Sequence, residues 1–183
     1  MALKYSSMLD LGAKIPLFEL VNTIDGTLYS SSSLDNGKPS LIMVVCNHCP
    51  YVIHYHDELQ RLVRDFGSLI DFVAISSSDV NNYPQDGPQE MMVLFSRLGL
   101  DFPYLYDETQ QVAKILKAEC TPEFYLYNGH NTLVYRGRLD DSSPGNNIAI
   151  SGKDLRKALN NLLTGQTIGG EQHPSVGCSV KWK

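Results

Sequence analysis

Two of the chain's four cysteines stand in the run Cys46-Asn47-His48-Cys49-Pro50. Disulfide exchange proceeds through the thiolate, and a free thiol is mostly protonated at neutral pH, so such a pair needs help from its surroundings. Ser40 to Val45 is a short, nearly continuous apolar run that reads as a strand buried on both faces. Beyond Pro50, the residues Val52, Tyr55, Leu59, Leu62, Val63 and Phe66 recur at three- and four-residue steps. That spacing predicts an amphipathic helix with His54, Glu58, Arg61 and Asp65 on its solvated face. The cysteines therefore fall where strand gives way to helix, and the unpaired N–H groups of a helix start favour an anion there. We expect Cys46 at the N-cap as a nucleophile with a lowered pKa. Cys49, one turn on, is then the resolving thiol, and Pro50 lies in the first turn, where a missing N–H costs little. His48 is either a polar loop residue or a neighbour expected to favour the thiolate, and a stabilised reduced form would make the disulfide a stronger oxidant. The competing reading, half of a structural zinc site, requires a second Cys-x-x-Cys, and Cys120 and Cys178 are too far apart to form one.

Length and composition narrow the setting. The chain has 183 residues, 43% of them hydrophobic, which suits one compact domain. A net charge of −5 and a pI near 5.4 argue against nucleic acid or an anionic membrane surface as partner. There is no run of about 18 apolar residues, so no membrane-spanning helix is expected. The N-terminal stretch to Leu20 shows no basic region leading into an apolar core, and a cytoplasmic location is the expectation. Four cysteines are too few for a disulfide scaffold. In a reducing compartment, a Cys-x-x-Cys pair points to catalysis or metal binding rather than to a structural staple.

The remaining elements predict how this pair is held. Leu17 to Val21 and Thr27 to Tyr29 flank Asp25-Gly26, a hairpin signal. Asp71 to Ser76 reads as a second buried strand, followed by a turn-rich loop from Ser77 to Gly87. Asp86 is expected to cap a helix bearing Met91, Met92, Phe95 and Leu98 and closed by Gly99. A short strand at Phe102 to Tyr106 precedes a helix capped by Asp107, with Gln110 at the capping-box position and Val112, Ala113, Ile115 and Leu116 as its apolar residues. A turn at Cys120-Thr121-Pro122 enters a strand to Tyr127, and Asn128 to Asn131 turns it back through Thr132 to Arg136. Asp140 and Asp141 fall in a solvated loop. Ser151 is expected to cap the last helix, in which Leu155, Ala158, Leu159, Leu162 and Leu163 keep helical spacing. Residues 1–165 read as one α/β domain and residues 166–183 as a tail. Val176, Cys178, Val180 and Trp182 alternate in that tail, which predicts an extended segment laid against the body.

This order of hairpin, strand, Cys-x-x-Cys helix, strand, helix, X-Pro turn, hairpin and helix resembles the thioredoxin superfamily. The larger N-terminal hairpin and the insertion from Ser77 to Tyr106 resemble its redoxin branch. Cys46 to Tyr51, Cys120-Thr121-Pro122, Val134-Tyr135-Arg136-Gly137 and the ending Pro174 to Lys183 are similar to those of a group of bacterial redoxin, or AhpC/TSA-like, proteins. The resemblance implies a thioredoxin-like (redoxin) α/β fold: a central mixed β-sheet flanked by helices, with an N-terminal β-hairpin and an extended C-terminal tail. It implies a thiol–disulfide oxidoreductase that uses Cys46 and Cys49 with no organic cofactor and no metal. Its partners would be protein or small-molecule thiols and disulfides, together with a redox partner protein. It further implies that Pro122 is cis and packs against the disulfide, with the Thr121–Pro122 turn offering backbone to a substrate chain. Cys120 would then lie close to the active-site layer. Arg136 resembles the arginine that holds an anionic substrate or a peroxide in peroxiredoxins; a strand-end surface charge is the plainer reading.

The chain departs from these relatives at identifiable positions. Thioredoxins carry a Trp just before the first cysteine and a buried Asp six residues before it; here Val45 and Ser40 stand there, so that proton acceptor is absent. Peroxiredoxins carry a Thr where this chain has Met43, which weighs against the alternative of a thiol peroxidase. In that alternative Cys46 forms a sulfenic acid and Cys49 condenses with it. A copper-binding chaperone of redoxin fold is a further alternative, but those proteins space their cysteines by three residues, and place a His near the turn where Cys120 is found. Cys178 has two readings. It is a small buried apolar anchor, or the tail brings it to Cys120 or to the Cys46–Cys49 pair as a further thiol couple. A disulfide there needs Cα atoms within about 7 Å.

Overall fold

The computed structural model describes residues 3–183. In chain order its strands are β1 (Leu3–Tyr5), β2 (Glu19–Asn22), β3 (Leu28–Ser30), β4 (Ser40–Val44), β5 (Asp71–Ser76), β6 (Tyr104–Tyr106), β7 (Cys120–Thr121), β8 (Glu123–Tyr127), β9 (Leu133–Gly137) and β10 (Val176–Ser179). The α-helices are α1 (Pro50–His54), α2 (His56–Phe66), α3 (Pro88–Leu98), α4 (Gln111–Ile115) and α5 (Lys153–Leu163). A seven-stranded mixed sheet in the order β3-β2-β6-β5-β4-β8-β9 forms the centre. β4, β5 and β6 run parallel, and the β2–β3 and β8–β9 hairpins close the two edges antiparallel. No helix among the described residues is long and apolar enough to cross a membrane.

The unbroken apolar run of β4 follows from burial on both faces. Leu41 and Met43 join Phe72, Ala74, Tyr104, Phe124 and Leu126 on one side, under α1, α2, α3 and α5. Ile42 and Val44 join Val73, Ile75, Leu105, Tyr125 and Tyr127 on the other, under α4 and a 3-10 turn at Ser31–Leu34. Fully buried side chains such as Leu41 and Leu62 each contribute about 1.5–3 kcal/mol by leaving water.

Several local expectations are corrected by tertiary contacts. The helix after Pro50 is broken at Tyr55, whose hydroxyl donates to Ser142 O at 2.6 Å and holds the residue at the junction of α1 and α2. Glu58 is not on a solvated face: it is 1% exposed and paired with Arg61 and with Arg156 of α5. Asp86, Asp107 and Ser151 do not cap their helices. Gly87 caps α3, ahead of Pro88, while Gln110 and Gly152, both left-handed, cap α4 and α5. The Asp107 carboxylate instead accepts from Ser77 Oγ at 2.8 Å and from the Ala113 N–H at 3.0 Å. Asp140 is also buried, accepting the N–H groups of Ser142, Ser151 and Gly152, so the acidic pair does not form a purely solvated loop.

The tail is extended against the body, as its alternation predicts. β10 inserts between β1 and β7 as the centre of a separate three-stranded sheet, with Cys178 opposite both Leu3 and Thr121. The Asp25-Gly26 hairpin, the strand from Asp71 and the inward leucines of α5 also stand as expected.

Candidate active site

The chain leaves the sheet at the first cysteine. Val45 N–H still bonds to Ile75 O at 2.9 Å, and the next four residues turn away into α1. The N-cap is Cys49, not Cys46, because Pro50 occupies the first helical position, where its missing N–H and fixed φ are tolerated. Cys46 and Cys49 are free thiols, 2% and 0% exposed. The Thr121–Pro122 peptide is cis, as the resemblance implies, and Thr121 meets both sulfurs. Its hydroxyl lies 3.5 Å from Cys46 Sγ and its carbonyl oxygen 3.2 Å from Cys49 Sγ.

The two thiols ionise as one couple. A hydrogen bond between the sulfurs holds Cys49 down, to about 4, and pushes Cys46 well above the ordinary thiol range. Burial and the Asp86 carboxylate add to the rise at Cys46. The Thr121 hydroxyl favours the charged form of both thiols, while its carbonyl, which accepts from Cys49 Sγ, favours a protonated Cys49. The result is one thiolate per couple, sharing one proton between two sulfurs. The expectation of an independently acidic Cys46 is corrected accordingly.

A second loop grips the motif from outside. Asp86, fully buried at the end of a 3-10 turn (Pro84–Asp86), accepts the N–H groups of Asn47 at 2.8 Å and His48 at 3.2 Å through Oδ1. Its Oδ2 lies 2.7 Å from His48 Nδ1. Asn47 Nδ2 donates to Gln85 O at 3.0 Å, and Tyr104 OH donates to Asn47 Oδ1 at 3.1 Å. Tyr83 stacks on the His48 ring with centroids 5.3 Å apart and planes within 5°. His48 therefore does not act as a lone partial positive charge, since a carboxylate balances it. Sequence reasoning missed Asp86 in this role, because its spacing to Met91 and Phe95 matched a helix cap. Cys46 Sγ, a ring nitrogen of His48 and an Asp86 oxygen lie within 4.8 Å of one another, a cluster that a metal ion could bridge.

The other candidates divide. Cys178 lies 4% exposed in the same apolar cluster as Cys46 and Cys49. Cys120, fully buried opposite Ser179, is near enough to Cys49 and Cys178 to feel their charge, and burial with the Glu123 carboxylate pushes its thiol up. Arg136 is not brought to the sulfurs. It pairs in register with Tyr125, whose side chain packs on the far face of the sheet, and its guanidinium donates to Leu9 O and Gln172 Oε1, each at 2.8 Å. His54 bonds Ser142 Oγ at 3.0 Å, and burial lowers the pKa of His56.

Comparison with known proteins agrees with this architecture. The chain is 46% identical to an uncharacterized conserved protein of Geobacillus kaustophilus, with a TM-score of 0.97 over 100% of this chain and 97% of that one. It is 34% identical to a hypothetical protein of Sinorhizobium meliloti, with a TM-score of 0.94 over 98% of each. A secreted Mycobacterium tuberculosis disulfide oxidoreductase, 19% identical, shares the fold, with a TM-score of 0.61 over 79% of this chain and 96% of that one. No curated protein matches. The redoxin family pattern matches residues 10–152, a span that holds the cysteine couple, Asp86 and the cis-proline turn. With that match over most of its length and a central mixed sheet flanked by helices, the chain belongs to the redoxin family of thioredoxin-like proteins.

Proposed function

We propose that the protein is a thiol–disulfide oxidoreductase that exchanges the Cys46–Cys49 dithiol with protein or small-molecule disulfides. The supporting observation is the pair of buried free thiols, both in contact with Thr121 of the cis Thr121–Pro122 turn. Cys46 begins the loop and is the sulfur that meets an incoming disulfide. As Cys46 attacks, its proton passes along the hydrogen bond to the Cys49 thiolate, and one substrate sulfur departs as a thiolate. His48, with a ring nitrogen within 4.8 Å of Cys46 Sγ, is placed to hand that sulfur a proton. Cys49 then attacks Cys46 Sγ, its proton passing to the second substrate sulfur, which leaves as a thiol as the Cys46–Cys49 disulfide closes.

A Cys49→Ser variant tests this reading, because it removes the resolving thiol. A stable mixed disulfide through Cys46, identified by mass spectrometry, is expected. Failure to trap any disulfide substrate, together with rapid peroxide consumption by the wild type, would instead support the peroxidase. Metal binding is a second reading, favoured by the Cys46, His48 and Asp86 cluster. Stoichiometric copper or zinc retained after anaerobic purification, and lost in Asp86→Asn, would establish it.

A further inference from the structure

β7 is two residues long, and β10 occupies the edge beside the reactive turn. Cys178 sits opposite Thr121, the residue whose hydroxyl and carbonyl lie 3.5 Å and 3.2 Å from the sulfurs of Cys46 and Cys49. Gly177 permits this approach, since a Cβ there would run into the Thr121 carbonyl. On the other side β1 pairs with β10, with Leu3 opposite Cys178, so the tail strand is held from both edges. The Cys178 thiol and backbone N–H both act on the Cys49 sulfur and favour its thiolate. Three free thiols, each at most 4% exposed, thus share one buried cluster. An anchoring role asks only for apolar contact and leaves this approach to Cys49 unaccounted for.

We propose that Cys178 is a third redox-active thiol, which exchanges with Cys49 so that the Cys46–Cys49 disulfide converts to Cys49–Cys178. This inference rests on the oxidoreductase reading of the couple. The Cys178 sulfur attacks Cys49 Sγ, the Cys46–Cys49 bond breaks, and the Cys49–Cys178 bond forms. The proton of Cys178 goes to Cys46, which leaves as a thiol. One disulfide replaces another, so no further oxidant is consumed. Burial, then the hydrogen bond to Cys49, pushes Cys178 up to about 12, and the second of these effects disappears once Cys49 is in a disulfide. The exchange returns Cys46 to the thiol form and moves the disulfide onto the tail strand.

Full-length protein treated with oxidised glutathione, quenched by acid alkylation and mapped by mass spectrometry without reduction, tests this. The wild type should show Cys46–Cys49 together with a fraction of Cys49–Cys178. In Cys46→Ser, Cys49–Cys178 should predominate, and adding Cys178→Ser should leave Cys49 glutathionylated several-fold more. Persistent glutathionylation of Cys49 with Cys178 free in Cys46→Ser would overturn the inference. If the wild type forms no Cys46–Cys49 linkage, the oxidoreductase reading itself fails; a wild-type linkage without exchange in the variant defeats only the third thiol. Should Cys46→Ser not fold, the Cys178→Ser protein gives a second measurement. At one disulfide per molecule its alkylatable Cys46 should fall below detection, and an unchanged fraction would reject the exchange.

Discussion

A buried carboxylate next to a thiol opposes the thiolate, and Asp86 stands in that position behind Cys46. Its pairing with the His48 ring and with two loop N–H groups is what makes such a charge tolerable inside the protein. Asp86→Asn keeps an acceptor for those N–H groups and deletes the charge. The reduced form should then gain stability, and the reduction potential should rise, by about 30 mV for each 1.4 kcal/mol gained. Equilibration against glutathione buffers measures this, and a fall would show that Asp86 acts on Cys46 only by holding the loop. The couple itself makes a second prediction. A free thiol loses about tenfold in alkylation rate per pH unit below its pKa near 8.5. With its first ionisation held down to about 4 by the sulfur–sulfur hydrogen bond, the couple should stay reactive from pH 8 to about 5. Iodoacetamide rates followed by mass spectrometry check this, and a tenfold loss per unit starting at pH 8 would mean that no proton is shared.

Among the elements, the tail strand is the one whose placement decides what the site contains. Gly177→Ala puts a methyl group against the Thr121 carbonyl and should force β10 off β7. Overpacking of this kind costs about 1–3 kcal/mol. Native-state alkylation of Cys178 should accelerate along with the drop in urea midpoint, and unchanged Cys178 protection would mean that β10 accommodates the methyl in place. The strands were legible because burial on both faces writes itself into the sequence as an apolar run, and the Asp25-Gly26 turn fixes its hairpin locally. The cysteine couple was legible from residue type and spacing, whereas the place of the Thr121–Pro122 turn against it came from the resemblance to the thioredoxin superfamily. Helix caps were not legible, because Asp86 and Asp107 serve partners that no local spacing reveals: His48 is 38 residues from Asp86, and Ser77 is 30 from Asp107. Glu58, at a helical position that reads as exposed, is buried by an arginine 98 residues on. Cys178 was legible as a candidate, but its approach to Cys49 depends on the pairing of β10 with β7, which the sequence does not spell out.

The stability of the whole molecule carries a pH dependence that originates beside the reactive turn. Glu123 follows Pro122, is 2% exposed, and accepts from the Glu119 N–H at 3.1 Å and from Tyr125 OH at 2.8 Å. Burial raises its carboxyl from the ordinary 4.5 to about 7, so the fold favours the protonated acid. The stability this supplies is complete below the unfolded pKa and disappears as pH rises through the folded one. The gap between 4.5 and about 7 corresponds to about 3 kcal/mol at most. Asp140 acts in the opposite sense. Burial would raise it, but hydrogen bonds from Ser142, Ser151 and Gly152 outweigh that and lower it, so its contribution is lost on the acid side. Cys49 and His56, whose pKa values the fold lowers, act in the rising direction over the same range, so the Glu123 contribution is read as a difference between two proteins. In urea unfolding at pH 5, 6.5 and 8, the wild type should lose stability relative to Glu123→Gln as pH rises. Glu123→Gln keeps an acceptor for Tyr125 and should be the more stable protein at pH 8. A difference that stays level from pH 5 to 8 would mean that Glu123 is ionised in the fold, and that the turn holding Thr121 against the two sulfurs carries a buried charge.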